Sequence, residues 1–127
     1  MTSDSFSIFD RFEKDQTGII LSIFILLIIK NEKRIWGYDI KQHLLNLTEG
    51  KLEINNSTVY SILKTFETKY LILESEMVER RRYYILTEKG KKDLIIILND
   101  WEQKTNLTIN TLKKLKYSFN NEIEEFI

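Results

Sequence analysis

The sequence predicts a mainly α-helical domain with one small β-hairpin, extended at its C-terminal end by a long helix. Three observations carry that expectation. Apolar residues recur at helical spacing from Gly37 and again from Asn55, after an apolar segment from Gln16 whose length favours a helix. Two short runs rich in β-branched and aromatic residues, Leu71–Val78 and Arg82–Leu86, lie close together in the chain. After them, Leu94, Leu98, Trp101, Thr105, Thr108, Leu112, Leu115 and Phe119 step alternately by four and three, the rhythm of a helix–helix seam. The length of 127 residues suits one domain with an appendage.

Taken in order, residues 1–15 read as an N-terminal arm, with Ile8, Phe9 and Phe12 at helical spacing after a frayed start. From Gln16 to Lys30 the chain is apolar on every side, GIILSIFILLII, and its length favours a helix over a strand. A helix of that kind must be covered all round. A domain this small buries only about two-thirds of its chain surface, so the second face is expected to meet another subunit. Gly37–Leu47 follows as a helix with Ile40, Leu44 and Leu47 on one face and Asp39 near its positive end. Asn55-Asn56-Ser57-Thr58, a cluster of good N-capping residues, opens a third helix to about Lys69. Its core face is Val59, Ile62, Leu63 and Phe66.

The hairpin is expected to turn at Glu79-Arg80-Arg81, although neither Gly nor Asn marks the turn. Thr87 caps the final helix, and Asn106 and Asn110 leave its continuity open. The order helix, helix, helix, hairpin, long helix is that of a winged helix-turn-helix domain over residues 16–86. Residues 87–127 then form a C-terminal dimerisation helix and polar tail.

Composition narrows the function classes. With no cysteine, the chain can hold no disulfide, Cys-based zinc site or thiol nucleophile. A single histidine, His43, excludes a multi-histidine metal site, and it has no Ser or Cys partner in a recognisable motif. The four glycines are isolated, so no phosphate-cradling loop is present. No catalytic residue, metal or cofactor is expected. The longest apolar stretch, Gly18–Ile29, is twelve residues against the roughly 20 that a membrane span needs. Acidic residues precede it, unlike the basic leader of a secretory signal, so a cytoplasmic location is the expectation.

The outer face of the third helix carries Asn55, Asn56, Ser57, Thr58, Tyr60, Ser61, Lys64 and Thr65. Short donors and acceptors of this kind suit a helix that enters the DNA major groove, where Asn can bond adenine and hydroxyls can reach phosphate. An ordinary amphipathic helix with a polar outer face accounts for the same residues. Arg80, Arg81 and Arg82 at the hairpin tip form a basic wing suited to phosphate or an adjacent minor groove. Glu74, Glu76 and Glu79 could instead pair with them, but exposed pairs contribute about 0–1 kcal/mol and would yield to phosphate.

Three strings, taken together, are more specific. Gly37-Tyr38-Asp39-Ile40, Ser57-Thr58-Val59-Tyr60-Ser61-Ile62-Leu63 and Arg80-Arg81-Arg82-Tyr83-Tyr84-Ile85-Leu86-Thr87-Glu88-Lys89-Gly90 appear in order and at suitable spacing. In these the chain closely resembles the PadR family of transcriptional regulators, over roughly residues 18–101. The resemblance implies a homodimeric winged-helix repressor that binds double-stranded DNA at a palindromic operator. One departure stands out: where the family often has Pro-Gly before the Thr, this chain has Asn56 and Ser57. The change spares the fold, since both residues cap well, but it alters the groove-facing chemistry. Trp101 also resembles a tryptophan that faces an inter-subunit cavity in some ligand-responsive members. With Leu98, Thr105 and Thr108 it marks either a packed dimer interface or a site for a small aromatic ligand.

Two further classes remain open at this stage: a winged-helix protein–protein adaptor without DNA affinity, and a sensor whose main event is binding an aromatic ligand. Nineteen basic and nineteen acidic residues give zero net charge, which offers no global attraction for DNA. The balance is uneven along the chain, however, at −1 over residues 1–30, +1 over 55–82, +3 over 83–116 and −3 over 117–127.

Overall fold

The computed structural model describes the backbone of residues 3–126 and the side chains of residues 18–120. Four helices and three strands follow in the order α1 (Ser3–Glu32), β1 (Ile35–Trp36), α2 (Gly37–Leu47), α3 (Asn56–Thr68), β2 (Leu73–Val78), β3 (Arg81–Leu86) and α4 (Glu88–Phe126). The chain divides into two compact units, Met1–Leu94 and Ile95–Ile127. The first holds α1–α3, the sheet and the first turns of α4; the second is the rest of α4.

Several details differ from the sequence-based expectation or complete it. The arm and the apolar helix are one backbone helix, α1, starting at Ser3; the side chains of Ile8, Phe9 and Phe12 lie outside the described residues. Leu21, Ile25, Leu26, Ile28 and Ile29 are buried in the chain's own core, so one subunit covers much more of α1 than its all-round apolar pattern suggested. Ile19 and Ile20 remain exposed. The sheet gains a third strand, β1, too short at two residues to leave a periodic signal. Finally, α4 is a single helix of 39 residues that passes through Asn106 and Asn110.

The sheet is antiparallel in the order β1-β3-β2. Ile35 lies opposite Tyr84 and Trp36 opposite Tyr83, while on the other side of β3 Ser75 lies opposite Tyr84 and Glu76 opposite Tyr83. Alternation then divides the faces. Ile35, Tyr84, Leu86 and Leu73 turn inward and are buried with Ile40 and Leu44 of α2, and Val59 and Leu63 of α3. Trp36, Tyr83, Glu76 and Arg81 share the outer face.

Val78 pairs with Arg81, so the hairpin turns through two residues, Glu79 and Arg80, rather than the three expected. Both take positive φ, 51° and 69°. This is the backbone of a turn whose twist matches antiparallel strands, formed here by residues that adopt it at a cost.

Candidate nucleic-acid interface

Helix α3 starts where the sequence places its capping cluster. Asn55 is the N-cap, in extended conformation, and its side-chain oxygen accepts the Thr58 backbone N–H at 2.9 Å. The same oxygen accepts the hydroxyls of Ser57 at 2.7 Å and Thr58 at 2.8 Å. Asn55 therefore fixes the helix start with its carbonyl and keeps its amide as a donor. Of the eight residues singled out on this helix, all eight are exposed.

They do not share one face, however. At 100° per residue, Ser57, Ser61, Lys64 and Thr68 lie on the side of the helix away from Val59, Leu63 and Phe66. Tyr60 lies on the flank toward α2, where its Cε1 would stand 3.1 Å from a Cβ added at Gly37. Ser61 and Thr65 also line a cavity of about 250 Å³ with Ser22 of α1 and Ile62, Phe66 and Tyr70. Thr65 and Thr68 hydroxyls donate to the carbonyls of Ser61 and Lys64 at 2.9 Å and 2.7 Å, so each retains its acceptor lone pairs. No carboxylate stands on the outward face; the helix's one acidic residue, Glu67, lies on the inner flank, half-buried.

The three hairpin arginines have different surroundings. None pairs with Glu74, Glu76 or Glu79 among the described ion pairs; Glu76 is taken instead by Arg34 at 3.0 Å. Arg82 donates to the Ser75 hydroxyl at 2.8 Å, and Ser75 donates in turn to the Glu67 carboxylate. This chain of contacts ties the hairpin to α3. Burial raises the pKa of the neighbouring Tyr84 hydroxyl above the usual phenol range, with Glu67 adding to the shift and Arg82 opposing it. Arg81 lays its guanidinium 4.2 Å over the Trp36 ring, and Arg34 does the same at 4.7 Å over Tyr83. Arg80, at the turn, is exposed.

Sequence reasoning missed Arg34 and Trp36. Their placement beside the hairpin depends on β1, which two residues could not announce. Tyr38, quoted for its motif alone, is exposed, with its ring centroid 5.0 Å from that of Trp36.

In the second unit, Leu98 and Trp101 are half-buried and Thr105 and Thr108 are exposed. Lys104 lies 5.8 Å from the Trp101 ring centre and pairs with Asp100 at 2.8 Å. The seam residues Leu112, Leu115 and Phe119 are exposed, as are Ile95, Ile96, Leu107 and Ile109. Among the described residues no helix is long and apolar enough to cross a membrane, and no group of three or more potential ligands could hold a metal ion.

Three helices, a three-stranded sheet ending in a basic hairpin, and a long following helix define a winged helix-turn-helix protein. The likeness of the motifs to one family is matched across the domain: residues 25–95 fit the transcriptional regulator PadR-like family, and the chain belongs to it. Solved structures agree. A transcriptional regulator from Clostridium thermocellum is 25% identical, with a TM-score of 0.69 over 76% of this chain and 96% of that one. A PadR family transcription regulator from Clostridium difficile is 26% identical, with a TM-score of 0.60 over 72% and 97%. A winged-helix DNA-binding protein from STIV shares the fold at 20% identity, with a TM-score of 0.55 over 65% and 86%.

Proposed function

We propose that the protein is a DNA-binding transcriptional regulator that acts as a homodimeric repressor on a palindromic operator. The observation that carries this reading is the pairing of two surfaces in one domain. Helix α3 presents a polar face whose one charge is Lys64, with no outward carboxylate, and the adjacent hairpin carries three arginines without acidic partners among the described ion pairs. Ser57, Ser61 and Lys64 would meet base edges and phosphates, with Asn56, Thr58 and Thr65 beside them. Asn55 would act first as the cap that aims the helix, and Tyr60 from its flank. Arg80 and Arg81 would hold the backbone beside the groove.

Dimerisation is supported by the second unit. Leu112, Leu115 and Phe119 continue the four-three repeat and are exposed in the single chain, an apolar stripe suited to a second copy. A two-fold pair would set the reading helices about one DNA turn, roughly 34 Å, apart. Gel shifts on the region upstream of the protein's own coding sequence test the interface. Arg80, Arg81 and Arg82 changed together to Ala should abolish the shift while the fold is kept. Undiminished binding by that folded variant would remove the hairpin from the interface.

A further inference from the structure

We infer that Trp36 is a positioning residue for DNA binding, holding Arg81 of the hairpin with its donor edge turned to the phosphate backbone. The inference rests on the DNA-binding reading above and adds to it a residue outside α3 and the hairpin.

Trp36 occupies a costly place. It is the N-cap of α2, in extended conformation with no side-chain capping bond, where Ser, Thr, Asn or Asp would stabilise the helix start. Its indole instead lies half-buried on the outer face of the sheet, opposite Tyr83 on β3. Arg81 stands two residues before Tyr83 on the same face, a diagonal neighbour within reach of a long side chain. The result is the guanidinium 4.2 Å over the ring.

A guanidinium that lies flat on a ring keeps its in-plane N–H groups available, the arrangement in which arginine grips phosphate with two parallel bonds. An arginine so held also loses less side-chain freedom on binding than a free one. Its neighbours differ. Arg82 already spends a donor on Ser75, and Arg80 sits in the turn itself. Of the two carboxylates that β2 places on this face, Glu74 and Glu76, the one nearer Arg81 in register, Glu76, is engaged by Arg34. Arg81 is therefore restrained and, among the described ion pairs, uncompensated.

The test is a double-mutant cycle in the full chain, read by fluorescence anisotropy of a labelled random-sequence 24-base-pair duplex over a range of salt. Trp36→Leu should weaken binding about three-fold per protomer, and Trp36→Phe, which keeps a ring, about two-fold or less. Arg81→Ala should weaken it and lower the salt slope by about one per protomer. Trp36→Leu should lower the slope in the same direction, and the Trp36→Leu/Arg81→Ala variant should bind no worse than Arg81→Ala. Thermal melts of each variant check that the domain is folded.

Wild-type affinity in Trp36→Leu, or a double variant showing the product of both single losses, overturns the positioning role and leaves the DNA-binding reading intact. Absence of binding by the wild-type protein at low salt overturns both.

Discussion

Gly90 in α4 lies so close to the carbonyl oxygen of Ile72 that a Cβ at position 90 would collide with it, and would also press on Leu86. The same carbonyl accepts the Thr87 backbone N–H at 2.9 Å, and the Thr87 hydroxyl accepts the Gly90 N–H at 3.0 Å. The Thr-x-x-Gly string that ends the third motif is thus a joint. It caps α4 and seats its first turn on the segment entering β2.

Replacing Gly90 with Ala should destabilise the domain by about 1–3 kcal/mol, because backbone rather than a flexible side chain stands in the way. Gly18 is the control: nothing lies within 4 Å of a Cβ there, so Gly18→Ala in α1 should stabilise by about 0.5–1 kcal/mol. Urea midpoints of the two variants should move in opposite directions. A common direction would contradict the packing argument.

Thr87→Ala should cost about 1–2 kcal/mol through loss of the cap, while Thr87→Ser, which keeps the hydroxyl, should recover most of it. Thermal unfolding distinguishes them, and equal losses in both variants would assign the effect to the methyl group instead.

The hairpin turn separates stability from function. Glu79 and Arg80 both sit at positive φ, so Glu79→Asn should stabilise by about 0.5–1 kcal/mol, as should Arg80→Gly. On the proposed reading Arg80→Gly should weaken DNA binding and Glu79→Asn should not. Chemical denaturation and gel shifts on the same preparations read both effects.

Tyr84 gives a pH prediction with a defined sign. Its pKa is raised in the folded state, first by burial and then by Glu67, so the native chain favours the neutral phenol. The stability this contributes is fully present below the unfolded value of about 10 and is lost as pH rises through the folded one. Between pH 9 and 11 the wild type should lose stability more steeply than Tyr84→Phe. Parallel profiles would exclude Tyr84 as a source of alkaline sensitivity.

How much of this was legible in the chain depended on how local each signal was. Helix α3 could be placed within a residue at each end because Asn55 caps through its own side chain, a purely local signal. Strand β1 could not, because Ile35 and Trp36 are a strand by virtue of Tyr84 and Tyr83, some fifty residues away. The turn length was misjudged because Glu79 and Arg80 adopt the left-handed conformation without the Gly or Asn that announces it. Coverage of α1 was underestimated because periodicity reports how many faces are apolar and leaves open which neighbours cover them. The arginine triplet was visible as charge alone. That Arg82 leans on Ser75 and Arg81 on Trp36 follows from register, which a single sequence does not display.

On the proposed reading, α3 and the hairpin of a two-fold dimer read DNA. Selection of fragments from the protein's own sheared genomic DNA, followed by sequencing, tests it most directly. Enriched fragments should share an inverted repeat with half-site centres about 10 base pairs apart, and recovery should fall as salt rises. A recovered pool indistinguishable from the input, at low salt as at high, would contradict it.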